Sequence, residues 1–257
     1  MYSDAVALTI YASSRLAGLE CPGFWPNAVV FQWKDKITFE ALTGRFLAAE
    51  DPETWVDMLR SRGVVGFHVH SGGGHPIAEA FAGGGSRWVV EAIHQDQIEC
   101  WIRVSRDIRE CRFVRRSTDQ ECPVHERQLD VVAEELKRAI LRAQSLLEPN
   151  RLGVHPDQLS WFDTRLKGAL AALSSDSPKS PFMYSELESP SNLSLPAGQL
   201  LAACGEAWLF GGMGSWNDVI PIPTAKEEYE GATNDLYRLV IEGICIAANT
   251  SFPNPVV

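Results

Sequence analysis

Two stretches of this chain gather side chains that do chemistry. The first is Gly66-Phe-His-Val-His-Ser-Gly-Gly-Gly-His75. His68 and His70 stand two apart in a strand-like run, so both project from one face while Phe67 and Val69 project from the other. With His75 on a glycine loop, three imidazoles are available as ligands for Zn²⁺ or Fe²⁺. Glu79, Glu91 or Asp96 would complete the sphere or act as base. That reading is a metal-dependent enzyme of hydrolase or oxygenase type.

The detail of the stretch departs from known metal patterns. A cupin-type site resembles His-x-His followed three or four residues later by Glu, where this chain has Gly74 and His75. A metallo-β-lactamase-type site resembles His-x-His-x-Asp-His, and here Gly72 stands in place of the Asp. The plainer reading is a half-buried strand whose imidazoles meet a neighbour or water. On that reading no cofactor is needed.

The second stretch runs from Trp208 to Asp218, Trp-Leu-Phe-Gly-Gly-Met-Gly-Ser-Trp-Asn-Asp. Its glycines free the backbone for a sharp turn, which would present Trp208, Phe210, Met213, Trp216, Asn217 and Asp218 together. Aromatic, amide and carboxylate groups at one spot suit an interface anchor. They equally suit a turn whose Trp tucks under the fold while Asn and Asp satisfy backbone groups. Ser215 is no nucleophile elbow, because the Gly-x-Ser-x-Gly spacing is missing. No Lys-Ser/Thr follows any glycine run, so no phosphate loop is present.

A third group is basic: Arg103, Arg106, Arg109, Arg112, Arg115 and Arg116, against Asp107 and Glu110. It reads as a phosphate or acidic-partner site, or as the wet face of a sheet. Residues 199–257 are the opposite, with two basic and seven acidic side chains.

Bulk properties narrow the class. The chain has 257 residues, 45% hydrophobic and 22% charged, which excludes disorder as a whole. A net charge of −10 argues against direct nucleic-acid binding and suits a basic partner. No run is long and apolar enough to span a membrane, and Met1–Ile10 lacks the basic start of a secretory signal. The six cysteines form no Cys-x-x-Cys pair and are expected as free thiols in a reducing cytoplasm.

The elements that must position these groups read as α+β. Strands are expected at Val29–Trp33, Lys36–Phe39, Val64–His70, Arg87–Ile93, Gln97–Val104 and Cys111–Arg115, the last three as an antiparallel meander. A helix starts at Asp51-Pro52-Glu53 and closes at Gly63. Two amphipathic helices follow the sheet, one from Leu129 and one after His155-Pro156, and are expected on one of its faces. The main domain is placed at 1–173. Residues 174–198, with eight serines and four prolines, read as a linker or surface loop. In 199–257, Leu200–Ala203 reads as a turn, Trp208–Phe210 as a strand and Glu227–Asn249 as a helix, docked on the same core.

With Trp208–Asp218 leading into Tyr229, Leu236-Tyr237 and Ile241, the C-terminal quarter resembles the small cytosolic immunity proteins of bacterial toxin systems. The resemblance implies a non-enzymatic inhibitor that binds and neutralises a cognate toxin, a protein partner of basic character. The metal-dependent enzyme stands beside it. So does a small-molecule sensor domain with an apolar pocket near Trp88, Trp101 and Trp216.

Overall fold

Short connections drive neighbouring strands into antiparallel pairing, as for β4 (Trp88–Ile93), β5 (Ile98–Arg103) and β6 (Glu110–Arg116), and β3 (Gly66–Ser71) pairs antiparallel with β4 across a longer connection. The protein is described by a computed structural model over residues 3–21, 23–27, 29–31, 33–41, 46–72, 88–104, 109–116, 127–148, 151–178, 193–211 and 214–250. Two further strands, β1 (Lys36–Ala41) and β2 (Phe46–Ala49), extend the sheet to the order β2-β1-β6-β5-β4-β3. β1 lies parallel to β6, with Phe39 opposite Phe113. The chain is therefore α+β with a mixed, mostly antiparallel sheet, which corrects the purely antiparallel meander. No turn links β1 to β6, so nothing local dictates their direction.

One face of the sheet carries Ile37, Phe39, Phe67, Val69, Val90, Trp101 and Phe113, all buried. Helix α2 (Pro52–Ser61) lays Trp55 on it, stacked on Phe39 at 4.6 Å and edge-on to Trp101 at 5.6 Å. Asp51 caps this helix by accepting from the Thr54 N–H at 2.8 Å. Helix α1 (Ser3–Leu16) packs on β3 and β4, and also touches α2. Its residues are buried from Asp4 through Ser14, so no polar stripe betrays it in the sequence. Asp4, 2% exposed, accepts a hydrogen bond from Arg103 Nε at 2.9 Å.

The remaining helices are α3 (Leu129–Ser145), α4 (Pro156–Ala172), α5 (Leu195–Glu206) and α6 (Lys226–Asn249). α6 packs on α3, α5, α1 and β3, and one cluster of buried apolar residues runs through the sheet and the helices. Gly243 lets α5 and α6 approach closely, since a Cβ there would lie 2.6 Å from Cys204 Sγ. Between α4 and α5, Arg165 and Glu206 form a buried ion pair at 2.5 Å. Among the described residues no helix is long and apolar enough to cross a membrane.

Three local expectations are corrected. Val29–Phe31 is a 3-10 turn, not a strand, because Phe31 turns inward to meet Phe24 and Trp25 edge-on. Leu200–Ala203 lies inside α5, which Ser194 caps by accepting from the Ala197 N–H, so the serine-proline segment ends in a helix. Residues 179–192 of that segment lie outside the described residues. Trp208–Phe210 has no strand partner among the described residues and serves as packing against Tyr237.

α6 also closes the sheet edge. β3 is an edge strand, and the Asn249 side chain accepts from the Val69 N–H at 2.7 Å and donates to the Val69 carbonyl at 3.1 Å. The amide thus takes the place of a neighbouring strand. Asn249→Ala removes both bonds and is expected to lower unfolding stability by about 1–3 kcal/mol, read by urea denaturation. An unchanged midpoint would show that the edge needs no such cover.

Candidate functional site

The histidine stretch does form a polar face. Strand register sets His68 opposite Glu91 and Glu91 opposite Cys100, a row across β3, β4 and β5 on the side away from Trp55. His70 Nδ1 stands 3.3 Å from Glu91 Oε1, whose residue is 4% exposed. Burial holds the His68 imidazole below its ordinary pKa of 6.5, which favours its neutral form at neutral pH. His68, His70 and Glu91 are therefore neighbours, while His75 and Glu79 lie outside the described residues. Among the described residues no group of three or more His, Cys, Asp or Glu is placed to hold a metal ion. Cys100 lies between Glu91 and Arg116 across the strands, with no imidazole directly opposite it.

The Trp208–Asp218 turn is tied down from within. Gly211 and Gly214 have φ of 88° and 77°, the left-handed region that glycine tolerates. Asn217 Oδ1 accepts from the Gly211 N–H at 3.1 Å, and Asp218 Oδ2 from the Gly214 N–H at 2.6 Å. Trp216 is fully buried, donates from Nε1 to Thr233 Oγ1 at 2.8 Å, and packs between Phe162 and Tyr229. The expectation that this turn exposes an aromatic with an amide and a carboxylate is corrected for Trp216. An indole that fills the space between two helices cannot also face solvent. Phe210 is buried, Trp208 and Asn217 are half-buried, Asp218 is exposed, and Met213 lies outside the described residues. Trp101 is likewise at 0% exposure in the sheet core, far from the role of a pocket wall shared with Trp216.

The arginine cluster is split by strand alternation. Arg103 and Arg115 fall on the Trp55 side, Arg112 and Arg116 on the other. Arg103 pairs with Asp4, Arg109 with Asp35, Arg112 with Glu40 and Arg115 with Glu99. Glu99 is buried and holds Arg62 and His94 as well. These guanidiniums are matched to carboxylates of the same chain, so they do not converge as an anion site. Arg106 lies outside the described residues.

A cleft of about 540 Å³ opens where α1 ends and α2 begins. Its aromatic wall is Tyr11, Phe24 and Trp25, with Tyr11 stacked on Phe24 at 4.0 Å. Its other wall carries Glu20, Asp51 and Glu53, with the Cys21 thiol beside them. Among the described residues Arg15 is the one cation of the lining, and its two terminal nitrogens donate to Glu53 at 2.9 Å and Asp57 at 3.0 Å. Burial pushes the Tyr11 hydroxyl up to about 12, while Arg15 pulls it down and Glu53 and Asp57 push it further up. Burial likewise raises the Cys21 thiol. The cleft leaves little trace in the sequence because α1 carries no amphipathic stripe. The only local signal is the aromatic, proline and glycine run Cys21-Pro-Gly-Phe-Trp-Pro26.

Set against protein-family models, curated proteins and solved structures, the chain matches none of them.

The histidine face makes a pH prediction. The folded state disfavours the His68 imidazolium, so the unfolded chain takes up that proton first. This term leaves stability intact above the unfolded pKa and removes it as pH falls toward the folded pKa. His68→Gln is therefore expected to flatten the decline of urea stability between about pH 7 and about pH 5. An unchanged slope would contradict the burial of this ring.

Proposed function

We propose that this chain is a non-enzymatic protein-binding module, an immunity-like inhibitor that neutralises a basic bacterial toxin by covering its surface. The observation that carries this reading is the acidic, aromatic cleft between α1 and α2, on a chain of net charge −10. Aromatic side chains contribute large contact area at low entropic cost, and the acidic balance speeds encounter with a basic surface. Trp33 adds to this, because its indole is 72% exposed in the segment that leads from the cleft into β1. The anchor of the interface is thus moved from the Trp208–Asp218 turn to the N-terminal loops. Cys21, Cys100, Cys111, Cys204 and Cys245 are thiols outside any disulfide, which fits action in the cytoplasm.

A metal-dependent enzyme using His68, His70 and His75 is the second reading, favoured by the His70–Glu91 contact. It requires zinc or iron at near-stoichiometric level in the purified chain.

Purification from the native host tests the first reading. A basic polypeptide is expected at a one-to-one ratio by size-exclusion chromatography with light scattering. Trp33→Ala is expected to weaken that complex by about tenfold or more. A chain that stays alone, or a complex indifferent to Trp33→Ala and to salt, would remove the proposal.

A further inference from the structure

We infer that the cleft between α1 and α2 is a socket for one cationic side chain, a lysine ammonium or an arginine guanidinium carried by the basic partner. This rests on the protein-binding reading above and deepens it by naming the chemistry of the contact.

Charge is the first argument. Three carboxylates, Glu20, Asp51 and Glu53, line the cleft against Arg15 alone. Arg15 is matched by Glu53 and Asp57, which leaves Glu20 and Asp51 as the lining carboxylates without an ion pair among the described residues. Asp51 is held by the backbone and hydroxyl of Thr54, which orient it without cancelling its charge. Glu20 is exposed and makes no ion pair among the described residues.

The second argument is a polar group left waiting. Tyr11 is 6% exposed and lines the cleft, yet its hydroxyl has no hydrogen-bond partner among the described residues. Arg15, Glu53 and Cys21 all act on it electrostatically, which places it among the lining groups. A neutral phenol there accepts a hydrogen bond from an ammonium or guanidinium N–H. The ring is buried while the hydroxyl borders the open cleft, so a ligand there reaches it in place of water.

The third argument is shape. The volume lies within the range of about 300–1,000 Å³ typical of sites for organic groups. Phe24 and Trp25 are half-buried. They offer an apolar lining for a methylene stem and ring faces for cation–π attraction. A small hydrated metal ion would leave that apolar lining unfilled.

The test uses the full chain and calorimetric titration with acetyl-Gly-Arg-Gly-amide and its lysine analogue. A norleucine analogue matches the stem without the charge. The cationic peptides are expected to bind about tenfold more tightly than the norleucine peptide. Tyr11→Phe keeps the ring stacked on Phe24, and Glu20→Gln changes only an exposed group, so both variants should fold. Each is expected to weaken the cationic peptides about three- to tenfold, with unchanged circular dichroism. Equal binding of the norleucine peptide, or indifference to both variants, would overturn the socket. So would spermidine binding more tightly than either peptide, which would make the cleft a small-amine site. If a basic partner copurifies but its affinity ignores Tyr11→Phe and Glu20→Gln, the socket fails and the protein-binding reading stands. If the peptides behave as expected but no partner copurifies, the binding reading fails, and what stands is the cleft's preference for a lysine or arginine side chain.

Discussion

Helix α1 has no face that water can wet, and the rest of the molecule is arranged to cover it. The sheet lies under it at β3 and β4, α2 stands beside it, and α6 completes the cover. Burying a helix on all sides leaves its charges with few options, and Asp4 solves this by pairing with Arg103 from β5. The helix reaches solvent again only at its last turns, with Arg15 partly exposed. That is where Tyr11 and Arg15 meet the following loop and α2 to form the cleft. The position of the proposed binding site follows from where the buried helix has to emerge.

Electrostatics point the same way. Of the arginines that look like a basic patch in the sequence, Arg103, Arg112 and Arg115 pair with Asp4, Glu40 and Glu99, and Arg109 pairs with Asp35 at the surface. Arg165 is consumed by Glu206 between α4 and α5, where burial raises the carboxyl and the guanidinium lowers it. What is left for a partner to see is weighted toward carboxylates. A binder of that kind gains association rate from long-range attraction and specificity from shape and aromatic contact.

Some of this was legible in the sequence for physical reasons. The Asp51-Pro52 start, the stripes of α3, α4 and α6, and the strands of the β3–β6 meander all follow from local patterning. α1 escaped because a helix buried all round has no stripe, and α5 because an Ala-, Gly- and Leu-rich run has no polar side. The parallel pairing of β1 with β6 depends on contacts about seventy residues apart in the chain, which no local rule reaches. At the candidate sites, residue type alone could not choose between exposure and burial. The same Trp216 that would anchor an interface instead fills the contact between Phe162 and Tyr229. The sequence offers Glu79, Glu91 and Asp96 beside His68 and His70, and strand register sets Glu91 opposite His68. The cleft needs a loop fold, a helix end and a helix start together, and only tertiary structure assembles those.

The central claim is that a basic partner docks over the α1–α2 cleft, and amide hydrogen exchange of the chain with and without that partner addresses it directly. Protection is predicted in the loop before β1 that holds Glu20 and Trp25, and in the first turn of α2 around Glu53. Protection confined to the Trp208–Asp218 turn or to the His68–Glu91 face, with the cleft unchanged, would contradict it.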